Sequence, residues 1–208
     1  MKLIRTANAG ILLELDETKL LLDGVCPPYE GFLGTPPSLR DTLLREPPHA
    51  LAFTHRHPDH YDGDFAETFR KRTLRPIFEA EAPREARVGN LTLTPIPTRH
   101  IGKYEIAHVS YLIQGSKRVL FCGDASPLEW NKIPLPPLDV AIFPFAYMTT
   151  PAARDRTCAL GAKMNILLHL PRKDQDPFGL WKTVEEISTE EIRLCIPSLE
   201  ETILFKDD

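Results

Sequence analysis

Apolar residues fall in short runs separated by glycine, proline and charged positions, a spacing that suits strands better than helices. Read this way, the chain offers strands over residues 2–5, 10–15, 19–23, 50–54, 91–97, 109–114, 118–122, 140–143, 166–169, 192–196 and 203–205. Helical segments are expected between and after them. Ser38 caps one over Leu39 to Arg45. Asp64, with Glu67 three residues on, caps one over Phe65 to Lys71. Thr150-Pro151 opens another that stops at Gly161, and Asp176-Pro177 opens a last one with Phe178, Trp181, Val184 and Ile187 on its buried face. Hairpins first, then strands alternating with helices, predict an α/β chain in which two packed sheets carry helices on their outer faces. No repeat and no internal linker divides it, so residues 1–208 are read as a single domain. The compositional oddity is the stretch 24–49, rich in proline, and long loops of that kind are more often functional than decorative.

Composition narrows the partners. Hydrophobic residues make up 42% and charged ones 26%, as in ordinary globular chains. With 25 basic against 29 acidic residues the net charge is -4, which gives no broad pull toward nucleic acid or an anionic membrane. The early apolar runs are interrupted by Glu14, Asp16, Glu17 and Lys19, so neither a signal segment nor a membrane span fits and a cytoplasmic location is expected. Cys26, Cys122, Cys158 and Cys195 form no CxxC pair and are read as free thiols.

Chemistry concentrates in Thr54-His55-Arg56-His57-Pro58-Asp59-His60, directly after the apolar run 50–53. At this composition a chance HxHxDH has odds on the order of one in a few thousand. Three imidazoles and a carboxylate so close together are costly unless they are solvated or share a cation. A metal is that cation, and nitrogen and oxygen donors suit zinc, iron or manganese.

The segment THRHPDHYDG resembles the signature of the metallo-β-lactamase superfamily, and the rest of that pattern follows in order. Leu20 to Asp23 resembles its early strand ending in Asp, and Pro97-Thr98-Arg99-His100 its third histidine motif. Phe121-Cys122-Gly123-Asp124 resembles its Gly-Asp motif, and Ile166 to His169 its last histidine. The likeness runs from about Gly10 to His169, and the detail of 139–144 is similar to the small branch of L-ascorbate-6-phosphate lactonase-like proteins. It implies a four-layer αββα sandwich, which agrees with the placement of every candidate ligand at the end of a predicted strand. It further implies one metal on His55, His57 and His100, a second on Asp59, His60 and His169, and Asp124 bridging. Asp59 and Asp124 are then the carboxylates closest to the reaction. Two divalent ions are expected, zinc first, with manganese or iron as alternatives. Water bound to such a pair becomes a hydroxide nucleophile near neutral pH. The activity implied is hydrolysis of a lactone, ester-like or phosphodiester bond in a small molecule, phosphorylated or acidic by analogy, with nucleic acid and membrane excluded and homo-oligomerisation open. The alternative is a mononuclear iron oxidoreductase of the persulfide dioxygenase type. Asp124 stands where zinc β-lactamases usually have cysteine, which disfavours antibiotic hydrolysis.

Other residues have weaker claims. Asp23 is expected to orient a ligand or simply to end its strand. His108 is read first as a packed or solvent-facing histidine and second as a substrate contact or a rival for the place of His100. His49 is a surface loop residue. Arg56, Arg99 and Lys103 are candidates for binding an anionic group. Tyr29, Phe32, Phe145, Tyr147 and Met148 are candidates for lining a pocket, the last three equally for packing in the core.

Overall fold

The computed structural model describes residues 1–102, 105–177, 179–187, 192 and 194–205. Chain order begins with three strands, β1 (Lys2–Arg5), β2 (Ile11–Leu15) and β3 (Thr18–Leu22), then α1 (Pro37–Arg45), β4 (Ala50–Ala52), α2 (Gly63–Thr73) and β5 (Ile77–Phe78). The second half holds β6 (Ala86–Val88), β7 (Leu91–Pro97), β8 (Val109–Gln114), β9 (Arg118–Phe121), β10 (Val140–Pro144), α3 (Pro151–Ala159), β11 (Met164–Leu168), α4 (Leu180–Ile187), β12 (Leu194–Cys195) and β13 (Thr202–Leu204). These strands form two mixed sheets, ordered β13-β1-β2-β3-β4-β5 and β12-β11-β10-β9-β8-β7-β6. In the first, β3, β4 and β5 run parallel; in the second, β9 to β12 do.

The near-continuous apolar runs are explained by burial on both faces of each sheet. In β2 and β3, Ile11, Leu13, Leu20 and Leu22 point into the space between the sheets, where they meet Leu93, Tyr111, Ile113, Phe121 and Ile142. Their neighbours Leu12 and Leu21 point the other way, onto Leu43 of α1 and Phe65 and Phe69 of α2. On the far side of the second sheet, Leu120, Phe143 and Leu167 pack with Trp130, Tyr147 and Val184. The layers are therefore helix, sheet, sheet, helix, the four-layer αββα sandwich that the sequence led us to expect.

Several helix ends differ from expectation. α1 begins at Pro37 with Pro36 at the N-cap and no side-chain cap, because proline's fixed φ already suits the first turn; Ser38 lies inside the helix. α2 is capped by Asp62, whose Oδ1 accepts from the Phe65 N–H, and Asp64 sits exposed in the first turn. Thr150 does cap α3, accepting from the Ala153 N–H. α4 starts at Leu180, later than read, and the Asp176 carboxylate accepts from the Trp181 N–H; Phe178 lies outside the described residues. β5 and β6 were not expected: at two and three residues they carry no periodic signal. Among the described residues no helix is long and apolar enough to cross a membrane.

Candidate metal centre

Parallel strands align their C-terminal ends, and the loops leaving β4, β9 and β11 converge with the one leaving β7 at one rim between the sheets. The first sheet brings His55, His57, Asp59 and His60, just after β4; the second brings His100, Asp124 and His169, after β7, β9 and β11. The ligand nitrogens of His55, His57 and His100 lie within 4.8 Å of one another, and so do the ligand atoms of Asp59, His60 and His169. Asp124 reaches both groups: its carboxylate oxygens are 3.6 Å from His100 Nε2, 3.5 Å from His60 Nε2 and 3.4 Å from His169 Nε2. All seven residues implied by the resemblance thus meet in one place. Apart from His57, which is half-buried, they are all buried.

Hydrogen bonds set the histidine tautomers. Thr54 gives its hydroxyl proton to Asp23 Oδ2 at 2.6 Å, so toward His55 Nδ1, 2.9 Å away, that hydroxyl can only accept. His55 Nδ1 therefore carries the proton. Asp23 Oδ2 also accepts from His60 Nδ1 at 2.9 Å, and the Ile101 carbonyl accepts from His100 Nδ1 at 2.5 Å. In all three rings Nδ1 is thereby the protonated nitrogen, and Nε2, which faces the centre, is the one available to a metal. Asp23 is the orienting residue its position suggested, serving both groups through Thr54 and His60. Its own geometry also disposes of a third cluster, Asp23 with His55 and His60, as a separate metal site, since its oxygens already accept from the Thr54 N–H, the Thr54 hydroxyl and His60.

Close backbone approach makes this possible. Gly123, at φ +54°, lies so near Thr54 that an added Cβ would come within 2.5 Å of its hydroxyl oxygen. Asp23 and His169 themselves adopt left-handed φ of 44° and 61°, an uncommon conformation for non-glycine residues and one that clusters at functional sites.

The electrostatics fit a cation. Burial would raise the Asp124 carboxyl, but His169 and His60 outweigh it and hold it well below the usual range. Asp59 is likewise lowered against its burial by His169 and His60. Burial pushes His55 well below the ordinary histidine value. For His60, burial is outweighed by Asp124 and Asp23, which hold its pKa well above that value. His55 Nε2, His60 Nε2 and Asp124 Oδ1 are buried without a hydrogen-bond partner, which is costly in a protein interior and is met when such atoms bind a common metal.

His108 resolves differently. Its Nε2 accepts from the Asp124 N–H at 3.0 Å and its Nδ1 pairs with the Thr98 hydroxyl at 2.9 Å, so both nitrogens are occupied and neither is a metal donor. Burial lowers its pKa to about 3, keeping the ring neutral as that acceptor role requires. Asn8, Arg5 and Thr54 were not singled out from sequence, and only Thr54, inside the histidine motif, carried any signal.

Of the anion-binding candidates, Arg56 is engaged by Glu79 and Glu81 at 3.1 and 3.2 Å, Arg99 is largely exposed and 3.9 Å from Glu129, and Lys103 lies outside the described residues. Of the pocket candidates, Phe32 and Phe145 meet the His169 ring at centroid distances of 4.7 and 5.9 Å, whereas Tyr147 and Met148 are fully buried in the core. Phe32 also lines, with Tyr29, Leu33, Arg172 and Gln175, a cleft of about 340 Å³. His49 accepts from the Lys19 N–H on the exposed surface and belongs to none of the ligand groups.

No protein-family model and no curated protein matches the chain. Solved structures do match. A metallo hydrolase from the hyperthermophilic archaeon Ignicoccus hospitalis aligns over 100% of this chain and 99% of its own, with TM-score 0.67 and 18% identity. YhfI, a metallo-β-lactamase fold protein from Bacillus subtilis, aligns over 97% of both chains, with TM-score 0.60 and 15% identity. The chain has the metallo-β-lactamase fold. CmlA, a diiron β-hydroxylase from Streptomyces venezuelae, shares it over 98% of this chain and 54% of its own, with TM-score 0.67 and 14% identity. The solved structures that share this fold thus include one named a hydrolase and one named a hydroxylase, and the choice of chemistry rests on this chain's own residues.

Proposed function

We propose that the chain is a metal-dependent hydrolase whose centre takes two divalent ions. The observation that carries this reading is the Asp124 carboxylate, which stands within 3.6 Å of histidine nitrogens from both ligand groups. His55, His57 and His100 would hold one ion and Asp59, His60 and His169 the other, with Asp124 shared. An ion pair of this kind supplies a water-derived nucleophile at neutral pH and polarises the carbonyl or phosphoryl oxygen under attack. The protein's part is to turn Nε2 of His55, His60 and His100 toward the centre, through Thr54, Asp23 and the Ile101 carbonyl, and to keep Asp59 and Asp124 ionised. Zinc is the first expectation, and a donor set of nitrogen and oxygen also accepts manganese or iron.

The substrate we infer is a small molecule with a lactone, ester-like or phosphodiester bond and an apolar flank. Phe32 and Phe145, both against the His169 ring, support the apolar flank. The engagement of Arg56 by two carboxylates weakens the case for an anionic one. A second reading, oxygen activation by iron, draws support from the same fold in a diiron β-hydroxylase and from a ligand set without thiolate. Elemental analysis of protein purified without a metal-affinity tag, followed by lactone, thioester and phosphodiester probes, separates the two. Two equivalents of zinc or manganese with turnover of a probe are expected. Iron with oxygen consumption and no hydrolysis would replace the first reading by the second.

A further inference from the structure

Asn8 lies in the loop between β1 and β2, fully buried, far in sequence from every residue of the histidine motif. Its side-chain Nδ2 donates to Asp59 Oδ2 at 3.2 Å. Its backbone carbonyl accepts from the His169 N–H, also at 3.2 Å. Asp59 and His169 themselves meet at 3.0 Å between Oδ2 and Nε2. One residue thus touches two of the three members of a single ligand group. The amide's orientation follows from its neighbour, since a carboxylate oxygen can only accept from it.

The loop that presents Asn8 is braced from behind. Arg5, buried at 3% exposure, donates from Nε to the Ala7 carbonyl, from Nη2 to the Asn8 carbonyl and from Nη1 to the Pro197 carbonyl. The Asn8 carbonyl therefore takes both the Arg5 guanidinium and the His169 N–H, which fixes the peptide. As a mere packing residue Asn8 is a poor choice, because its Oδ1 is buried with no hydrogen-bond partner. What the amide offers in return is the donor to Asp59.

We propose that Asn8 is a positioning residue for the metal subsite of Asp59, His60 and His169, setting that subsite's affinity while leaving the subsite of His55, His57 and His100 unaffected. The inference rests on the two-ion reading above. By holding Asp59 Oδ2, the amide selects one carboxylate orientation before any ion arrives, and outer partners of this kind typically govern metal affinity by about 10- to 100-fold.

The test is a titration of the metal-free chain with Zn²⁺ alone, by calorimetry, and with Co²⁺ alone, by absorption, alongside the melting temperature of the metal-free form. Two variants are compared with the parent: Asn8→Ala, and Asn8→Leu, which keeps the branched shape and removes both polar atoms. The parent is expected to bind two equivalents in distinguishable steps. Both variants should weaken one step by about 10- to 100-fold and leave the other unchanged. Asn8→Leu should do so with a metal-free melting temperature close to the parent's, because the unmet Oδ1 leaves together with the donor to Asp59. Two unaltered steps in a folded variant would overturn the role of Asn8 alone. Equal weakening of both steps with a lowered melting temperature in Asn8→Leu would make the residue structural and overturn it too. A parent that binds fewer than two equivalents would instead overturn the two-ion reading, and this proposal with it.

Discussion

His108 shows how much a single residue's role depends on what its nitrogens touch. Spacing made it a rival ligand, yet its Nε2 is spent on the Asp124 N–H and its Nδ1 on Thr98. Burial lowers its pKa from the ordinary histidine value of 6.5 to about 3, which keeps the ring neutral as accepting requires. The sign of the pH effect follows. Below pH 6.5 the unfolded chain takes up a proton on this residue that the folded chain refuses until about pH 3, so stability present at neutral pH is lost as acid is added through that window. Between pH 7 and 4.5 the metal-free parent should lose about 2–3 kcal/mol more than His108→Gln, whose amide oxygen keeps an acceptor for Asp124 without titrating. Urea unfolding at the two pH values measures the difference, and parallel losses would mean that the ring is not held neutral. His108→Ala, which leaves the Asp124 N–H unmet, should cost about 1–3 kcal/mol at pH 7 and lower turnover as well.

At the scale of elements, α2 gives the sharpest contrast between reading and structure. Asp62 and Asp64 both precede the apolar face of Phe65 and Phe69, and sequence favoured Asp64 because Glu67 follows at capping-box spacing. In the structure Asp62 caps, and its other oxygen is 2.7 Å from Arg40 of α1, so one carboxylate both starts α2 and ties it to α1. Asp62→Ala should therefore destabilise by about 1–2 kcal/mol and Asp64→Ala by no more than about 0.5 kcal/mol; chemical denaturation of both variants decides, and the reverse order would restore the sequence assignment. The pattern behind this error is general along the chain. Strands β7 and β8, long enough to show a run, were legible to the residue; β5 and β6 were too short. Of the candidate ligands, four were legible as sequence neighbours in one motif, whereas His100, Asp124 and His169, each following a predicted strand, came from the resemblance. Asn8, Arg5 and the acceptor role of His108 were not, because each acts through a contact spanning many residues that leaves no spacing to read.

Considered as a whole, the molecule is two sheets held together by an apolar interior and, at one rim, by polar groups that cross between them. His55, His57, Asp59 and His60 follow a strand of one sheet; His100, Asp124 and His169 follow strands of the other. Protein hydrogen bonds already cross this rim, from the Val109 N–H to the Thr54 carbonyl, from the Tyr111 hydroxyl to the Phe53 carbonyl and from the His169 N–H to the Asn8 carbonyl. Ions bound there would add ties across the sheets that the unfolded chain cannot make, so binding and global stability must be coupled. At a free metal concentration about 1,000-fold above the dissociation constant, one site contributes about 4 kcal/mol. For a chain of this length each kcal/mol moves the melting temperature by about 2–4 °C. Removing metal with a chelator should therefore lower the melting temperature by about 8 °C or more. In His169→Ala, which removes the proposed ligand just after β11, the drop should be smaller, since one subsite would lose its reach to that strand. Scanning calorimetry of both proteins with and without chelator measures this. An unchanged melting temperature in the parent would mean that whatever the centre binds does not join the two sheets. An equal drop in both proteins would take His169 out of the ligand set and leave Asp124 and His100 as the ties from the second sheet.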